Sequence, residues 1–293
     1  MRYEGIVIRP PSEADSLIIQ ITYGCSHNRC AFCPTYKGTK FRKRPMEDVK
    51  KDIDEAARSG WFWKRAFLCD GDALILPTDH LAEIIGYLRK KLPTIGRVGI
   101  YGNAKSVLRK SVDELRRLRK LGLGIVYLGL ESGDAEVLKE MNKWGTPEGM
   151  IEAARRIRDA GILLSVTVLL GLAGRDRKRA LRHAKLTARV LNEMKPEYAS
   201  ALTVMVVPNT PLYERMERGE FELPHPFEIL EELRELLSHL ELDGCLFTSN
   251  HASNYLPLRV RLPDGKQQAL DLLDRVIETK DDRLLRPEWM RGL

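Results

Sequence analysis

The chain has 293 residues, 43% of them hydrophobic and 30% charged, with a net charge of +7. That composition excludes a disordered chain and a disulfide-stapled miniprotein, and the length suits one large domain or two small ones. No stretch reaches the roughly 18 apolar residues of a membrane span; the longest candidate, around 161–174, is too short. The start, MRYEGIVIRPPSEAD, is charged and broken by prolines, unlike a signal peptide, so we expect a cytoplasmic protein with no membrane partner.

In chain order, a β-branched run SLIIQIT (16–22) is followed by an amphipathic helical stretch, MEDVKKDIDEAARSG (46–60). RAFLC (65–69) precedes TDHLAEIIGYLRKKL (78–92), and RVGIY (97–101) precedes SVDELRRLRKLG (111–122). LGIVYLGL (123–130) leads into DAEVLKEM (134–141) and TPEGMIEAARRIRDAG (146–161). ILLSVTVLL (162–170) leads into RDRKRALRHAKLTARVLNEM (175–194), and YASALTVMVV (198–207) is the sixth run. Short, near-continuous apolar runs fit parallel strands buried on both faces. Gly60, Gly122 and Gly161 stand where helix C-caps belong, and Ser111 and Thr146 where N-caps belong. Trp61 and Trp63 are expected to pack at a helix end.

Six strands alternating with helices predict right-handed βαβ units around a parallel sheet. Six are too few for a closed eight-strand barrel. The predicted fold is therefore α/β, an open (β/α)6 partial barrel over 1–210. A C-terminal extension over 211–293, with helices at 226–240 and 266–279 and a polar loop between them, would cap or close the open side within one structural domain.

Of five cysteines, Cys25, Cys30 and Cys33 fall within nine residues, spaced C-x4-C-x2-C in the loop after the first strand. In parallel α/β folds, active sites lie at the carboxyl ends of strands, so this loop is where chemistry belongs. Three thiolates at that spacing suit an iron–sulfur cluster. The residues alone leave two alternatives open: a zinc site with His27 as fourth ligand, and a [2Fe–2S] electron carrier with Cys69 as fourth ligand.

With these residues the chain resembles the radical S-adenosylmethionine (SAM) superfamily. Its members have a partial (β/α)6 barrel and three cysteines after strand 1, commonly spaced C-x3-C-x2-C, one residue shorter than here. The resemblance implies that Cys25, Cys30 and Cys33 hold three irons of a [4Fe–4S] cluster whose fourth iron binds SAM. It places Phe32 beside the adenine. CDGDA after strand 2 is similar to the family's Gly-Gly-Glu-like turn, which sets Asp70, Gly71 and Asp72 against the SAM ammonium. YGNAK after strand 3 offers Tyr101 and Asn103. GLESGDAEVLKEMNKWGT after strand 4 is similar to the stretch in coproporphyrinogen-oxidase-like and tRNA-modifying branches. There Glu131 and Ser132 would meet the methionine or ribose, and Lys143 would replace an arginine on the methionine carboxylate. LLGLAG is similar to the family's strand-5 turn, and VVPNTPLYE, which contributes Val207, to its strand-6 motif.

The implied chemistry is reductive cleavage of SAM to a 5′-deoxyadenosyl radical that abstracts hydrogen from an unactivated carbon, with the electron coming from a donor such as ferredoxin or flavodoxin. The basic segment KGTKFRKRP (37–45) near the cluster loop favours a small or medium anionic metabolite as substrate. Thr35 stands where the coproporphyrinogen-oxidase branch has an extra cysteine, which argues against a porphyrin. A tRNA-modifying enzyme is the second reading, with nucleic acid a possible but less favoured partner, and a non-enzymatic electron carrier is the third. Within CLFTSNHASNYLPLRVRLP (245–263), the polar run is expected at the barrel mouth, with His251 or Tyr255 as a hydrogen-bonding or proton-donating group.

Overall fold

The computed structural model describes residues 1–292. The elements are β1 Leu17–Gln20, β2 Thr22–Tyr23, β3 Arg42–Lys43, α1 Met46–Arg58, β4 Arg65–Cys69, α2 Thr78–Lys91, β5 Arg97–Gly102, α3 Ala104–Leu108, α4 Val112–Leu121 and β6 Leu123–Glu131. They continue with α5 Ala135–Glu140, α6 Pro147–Asp159, β7 Leu163–Leu170, α7 Arg177–Met194, β8 Tyr198–Thr203, α8 Pro211–Glu217, α9 Pro226–Ser238, β9 Leu246–Thr248, β10 Arg259–Arg261 and α10 Lys266–Thr279. Each predicted strand run is a strand, and helices follow in the predicted alternation.

The chain folds into two compact units, one formed by 1–28, 35–128 and 152–164, the other by 29–34, 129–151 and the residues from Ser165 onward. In the first, β1, β4, β5 and β6 lie side by side and parallel, with Leu17 opposite Ala66, Arg65 opposite Arg97 and Ile100 opposite Val126. Their side chains make the core: Leu17, Ile19, Phe67, Leu68, Ile100 and Val126 are fully buried. Burial of each such side chain contributes roughly 1.5–3 kcal/mol. Glu13, also fully buried, is matched by Arg97 Nη2 at 2.6 Å, the Tyr127 hydroxyl at 2.5 Å and the Ser16 hydroxyl. A buried carboxylate with this many donors escapes the penalty of an unpaired one. Helix α4 starts at Ser111 through a capping box with Glu114 and stops at Gly122, whose φ of 120° no residue with a Cβ adopts readily.

In the second unit β7 pairs in parallel with β8, β8 with β9, and β9 antiparallel with β10. The strand at 246–248 is an addition to the sequence reading. Three residues are too short to show a period, yet β9 continues the parallel order, so the polar run after it leaves the carboxyl end of a parallel strand. The sixth run stops at Thr203, four residues before its apolar stretch ends. Trp61 differs from its expected packing: it is 73% exposed and stacks on Trp63 with ring centroids 6.2 Å apart.

Candidate cofactor site

In the first unit the turn after β4 carries Asp70, Gly71 and Asp72. Both carboxylate oxygens of buried Asp70 are engaged, Oδ2 accepting from Gln20 Nε2 and Oδ1 from the Tyr36 hydroxyl, each at 2.9 Å. Its N–H donates to Thr22 Oγ1 at 3.1 Å. Burial raises the Asp70 carboxyl above the usual carboxylate range, and it raises the Tyr36 hydroxyl too, helped by the neighbouring Asp70. With the turn fixed in this way, a Cβ on Gly71 would lie 2.4 Å from the Tyr36 ring and 3.0 Å from Cys25 Cβ. Glycine is therefore what lets this turn press against the first cysteine.

Asp72 is fully buried. Its Oδ2 accepts from the hydroxyl of Ser26, the neighbour of Cys25, and from Asn103 Nδ2 at 2.8 Å. Asn103 in turn caps α3 through a reciprocal pair with Ser106. Burial pushes the Asp72 carboxyl up to about 6, against the pull of the Ser26, Ser106 and Asn103 donors. Its Oδ1 is buried without a hydrogen-bond partner. Such an oxygen is rare in a folded protein and fits a donor supplied by a ligand. Asn28, with φ 46°, folds the loop back by donating to the carbonyls of Tyr36 at 2.7 Å and Thr39 at 3.2 Å. Tyr101 packs edge-on against Phe67 at 4.8 Å and Tyr127 at 6.1 Å. In the basic segment, Arg42 lies 3.6 Å over the Tyr23 ring and pairs with Glu4, and buried Arg44 pairs with Asp52 at 2.6 Å. Lys37 Nζ also donates to the Asn28 carbonyl at 3.4 Å, so three of the five cations serve the fold.

In the second unit Cys30 and Cys33 flank Ala31 and Phe32. Ala31 sits in an apolar cluster with Val137, Met141, Leu172, Val204 and Leu212, and Phe32 packs against the same cluster. The Ala31 N–H donates to the Met141 carbonyl at 2.8 Å, and its carbonyl accepts from Leu212 N–H at 3.0 Å. The segment is thus tied to the residue after α5 and to the start of α8. Glu131 ends β6 at φ 63° and pairs with Lys143 Nζ at 3.0 Å. Gly129 makes room for that pair, since a Cβ there would lie 2.1 Å from Glu131 Oε1. Ser132 is fully buried and its hydroxyl accepts from Asp134 N–H at 2.9 Å, so it braces its own turn. Val207 is half-buried, and its carbonyl accepts from the Thr210 hydroxyl, which caps α8.

The polar run after β9 is bonded within itself and to β8 and the C-terminal segment. Asn254 donates to the Ala201 carbonyl and accepts from the Thr203 hydroxyl, each at 2.9 Å. Arg286 donates to the carbonyls of His251, Ala252 and Asn254. Ser253 N–H donates to His251 Nδ1 at 3.1 Å, which assigns the proton of the neutral ring to Nε2. Burial and the Arg286 charge hold His251 below its usual value. The Tyr255 hydroxyl donates to Glu288 at 3.0 Å, and the Arg291 guanidinium lies 4.0 Å over its ring. Its hydroxyl is pushed up to about 12, first by burial.

Cys69 is fully buried, donates its thiol to the Ile19 carbonyl at 3.6 Å, and is held protonated by burial and by Asp70. Cys245 is also fully buried, its thiol pushed up to about 12. Both are core thiols, so the structure gives no support to Cys69 as a fourth ligand. Among the described residues no group of three or more His, Cys, Asp or Glu side chains is gathered tightly enough for a single metal ion. A [4Fe–4S] cluster takes one thiolate per iron and so needs no such convergence. Within the first unit, a glycine turn seated on Cys25 and the unmet buried oxygen of Asp72 fit the cluster and SAM. The partners that fix these parts, Ser26, Tyr36 and Ala31, were missed in the sequence. Ser26 and Tyr36 meet their carboxylates across 46 and 34 residues, and no local pattern marks such pairs.

Comparison with known proteins gives the same direction. An uncharacterized protein of Methanocaldococcus jannaschii is 24% identical over 76% of this chain and 70% of its own length. The tRNA-2-methylthio-N(6)-dimethylallyladenosine synthase of Clostridium tetani is 24% identical over 76% of this chain, which spans 49% of that enzyme. The fold is similar to that of coproporphyrinogen III oxidase from Escherichia coli, a radical SAM enzyme, with TM-score 0.58 at 17% identity over 76% of this chain and 51% of that one. Residues 19–187, more than half of the chain and inclusive of all three loop cysteines, match the profile of one family, and the chain belongs to the radical SAM superfamily.

Proposed function

We propose that the chain is a radical SAM enzyme acting on a small or medium anionic metabolite, with 1–210 as its core and 211–293 as the extension. The superfamily works with a [4Fe–4S] cluster and SAM. Cys25, Cys30 and Cys33 would hold the cluster. When bound, it would pass one electron to SAM, whose S–C5′ bond would break to methionine and a 5′-deoxyadenosyl radical able to take hydrogen from an unactivated carbon. Asp70, Gly71, Asp72, Tyr101 and Asn103 would bind SAM from the first unit, with Asp72 Oδ1 offered to its ammonium. Phe32, Glu131, Lys143 and Val207 would do so from the second, where Ser132 braces the turn that carries Glu131. Lysine at 143 supplies charge without the bidentate fork of an arginine. His251, neutral near pH 7 with its proton on Nε2, would hold or deliver a proton at the mouth, and Tyr255 would support it. A donor such as ferredoxin or flavodoxin would supply the electron.

The match over 19–187, which includes the three-cysteine loop, carries the radical SAM part of this reading, and the basic segment 37–45 supports the anionic substrate. Its test is anaerobic reconstitution followed by EPR of the reduced cluster with and without SAM. A SAM-dependent change together with 5′-deoxyadenosine is the expected result; a cluster signal indifferent to SAM would overturn the proposal. A tRNA substrate is the second reading, favoured by the similarity to the Clostridium tetani tRNA enzyme. Formation of 5′-deoxyadenosine driven by bulk tRNA and not by a fraction of small anionic metabolites would select it.

A further inference from the structure

Two helices of the second unit carry buried polar groups that the proposed chemistry does not use. His183 and Thr187 on α7 and Glu232 on α9 are each at most 2% exposed. His183 Nδ1 lies 2.6 Å from Glu232 Oε1. The other carboxylate oxygen, Oε2, accepts from the N–H of Gly171 at 2.9 Å. One helical turn along α7, the Thr187 hydroxyl donates to the His183 carbonyl at 2.7 Å and accepts from the N–H of Gly133 at 2.9 Å.

The two glycines occupy equivalent places. Gly133 follows Glu131 and Ser132 in the turn at the carboxyl end of β6, and Gly171 is the first residue after the carboxyl end of β7. These ends are where parallel α/β folds place their ligands. Both turns are tightly seated. A Cβ on Gly133 would lie 2.4 Å from the Leu186 carbonyl oxygen and 2.6 Å from Thr187 Cα, and one on Gly171 would lie 2.9 Å from Ile229 Cδ1. The next residues of the second turn, Leu172 and Ala173, belong to the apolar cluster that holds Ala31.

A buried ionisable side chain is costly to keep, and hydrophobic packing of α7 on α9 would be served as well by a leucine pair. What a leucine pair lacks is the acceptor that Glu232 gives the Gly171 N–H, as Thr187 gives one to the Gly133 N–H. We infer that Gly133, Thr187, His183, Glu232 and Gly171 form one buried relay that sets two SAM-facing turns, with Thr187 and Glu232 as positioning residues for SAM binding. This rests on the radical SAM reading. The relay touches no cofactor; it fixes the backbone from which Glu131, Ser132 and Leu172 project.

The test uses the reconstituted holoenzyme and SAM itself. Thr187→Val removes the acceptor for Gly133 while keeping shape, and Thr187→Ser restores it. Glu232→Leu removes the acceptor for Gly171, and Glu232→Gln keeps an oxygen for Gly171 while its amide donates to His183 Nδ1 once the ring proton moves to Nε2. Iron and sulfide content, SAM titration by EPR of the reduced cluster, and hydrogen exchange of peptides covering 130–135 and 168–174 are measured at a temperature where each variant is folded. Expected are full cluster content, SAM affinity lowered about tenfold in Thr187→Val and Glu232→Leu, and recovery in Thr187→Ser and Glu232→Gln. Faster exchange is expected at 130–135 in the first of these and at 168–174 in the second. Glu232→Leu is the variant at risk of misfolding, and Thr187→Val then decides alone. Unchanged SAM affinity with a lowered melting temperature would reduce the relay to a structural support and overturn the inference. A wild type that does not respond to SAM would overturn both this inference and the reading beneath it, so the two failures are told apart.

Discussion

At Cys25 the cluster loop is fastened by directional bonds; at Ala31, between the other two cysteines, it is fastened by packing. In the first unit the Ser26 hydroxyl, Asn103 and Asp72 form a buried polar chain, and Gly71 presses on Cys25. In the second unit Ala31 is embedded among aliphatic side chains, with two backbone hydrogen bonds to orient it. Polar bonds fix angles but fail sharply when one partner is lost. Apolar packing tolerates chemistry but not volume. The two halves of one loop should therefore break in different ways.

The largest effect belongs to the ligands. Cys30→Ala should abolish stable [4Fe–4S] content, read as iron per chain and as loss of the SAM-dependent EPR change, whereas Cys69→Ala should retain both. A cluster lost in Cys69→Ala would restore the electron-carrier alternative. Next come the two steric sites. Gly71→Ala drives a methyl into the Tyr36 ring and Cys25 and should destabilise by about 1–3 kcal/mol in denaturant unfolding, with reduced cluster loading. Ala31→Leu should cost about the same through overpacking. A well-folded Gly71→Ala with normal iron would refute the close seating of that turn.

The polar side is tested by Ser26→Ala, which leaves buried Asp72 short of a donor and should cost about 1–3 kcal/mol. Ser26→Thr should recover most of it, whereas no hydroxyl can rescue Ala31→Leu. The smallest effect is a pH dependence. His251 is held below its usual value by burial and by Arg286, so protonation is disfavoured in the folded state. The stability it contributes is present above about 6.5 and is lost as pH falls towards the depressed value. Melting curves of the wild type and His251→Gln should therefore converge as the pH is lowered, and parallel curves would show that His251 is not so placed.

The comparison also marks what a sequence can reveal. The strands were legible because each is a short apolar run, and α4 because Ser111 and Gly122 are local signals. The three cysteines were legible because their spacing is itself the motif. The short β9 was not, since its three residues are fixed by pairing with β8 rather than by any period of their own. Nor was the use of Ser132 to brace its turn, of Arg44 to pair with Asp52, or of Glu232 to hold Gly171. Those roles depend on partners that only folding brings within reach.

The turn bearing His251 and Tyr255 is closed by Arg286 and Arg291, whose guanidiniums hold its carbonyls and cover the tyrosine ring. During synthesis the cysteine loop and every parallel strand therefore leave the ribosome before this turn can take its final shape. A nascent chain stalled before residue 286 would carry all three cysteines of the loop and an unfinished turn at His251 and Tyr255.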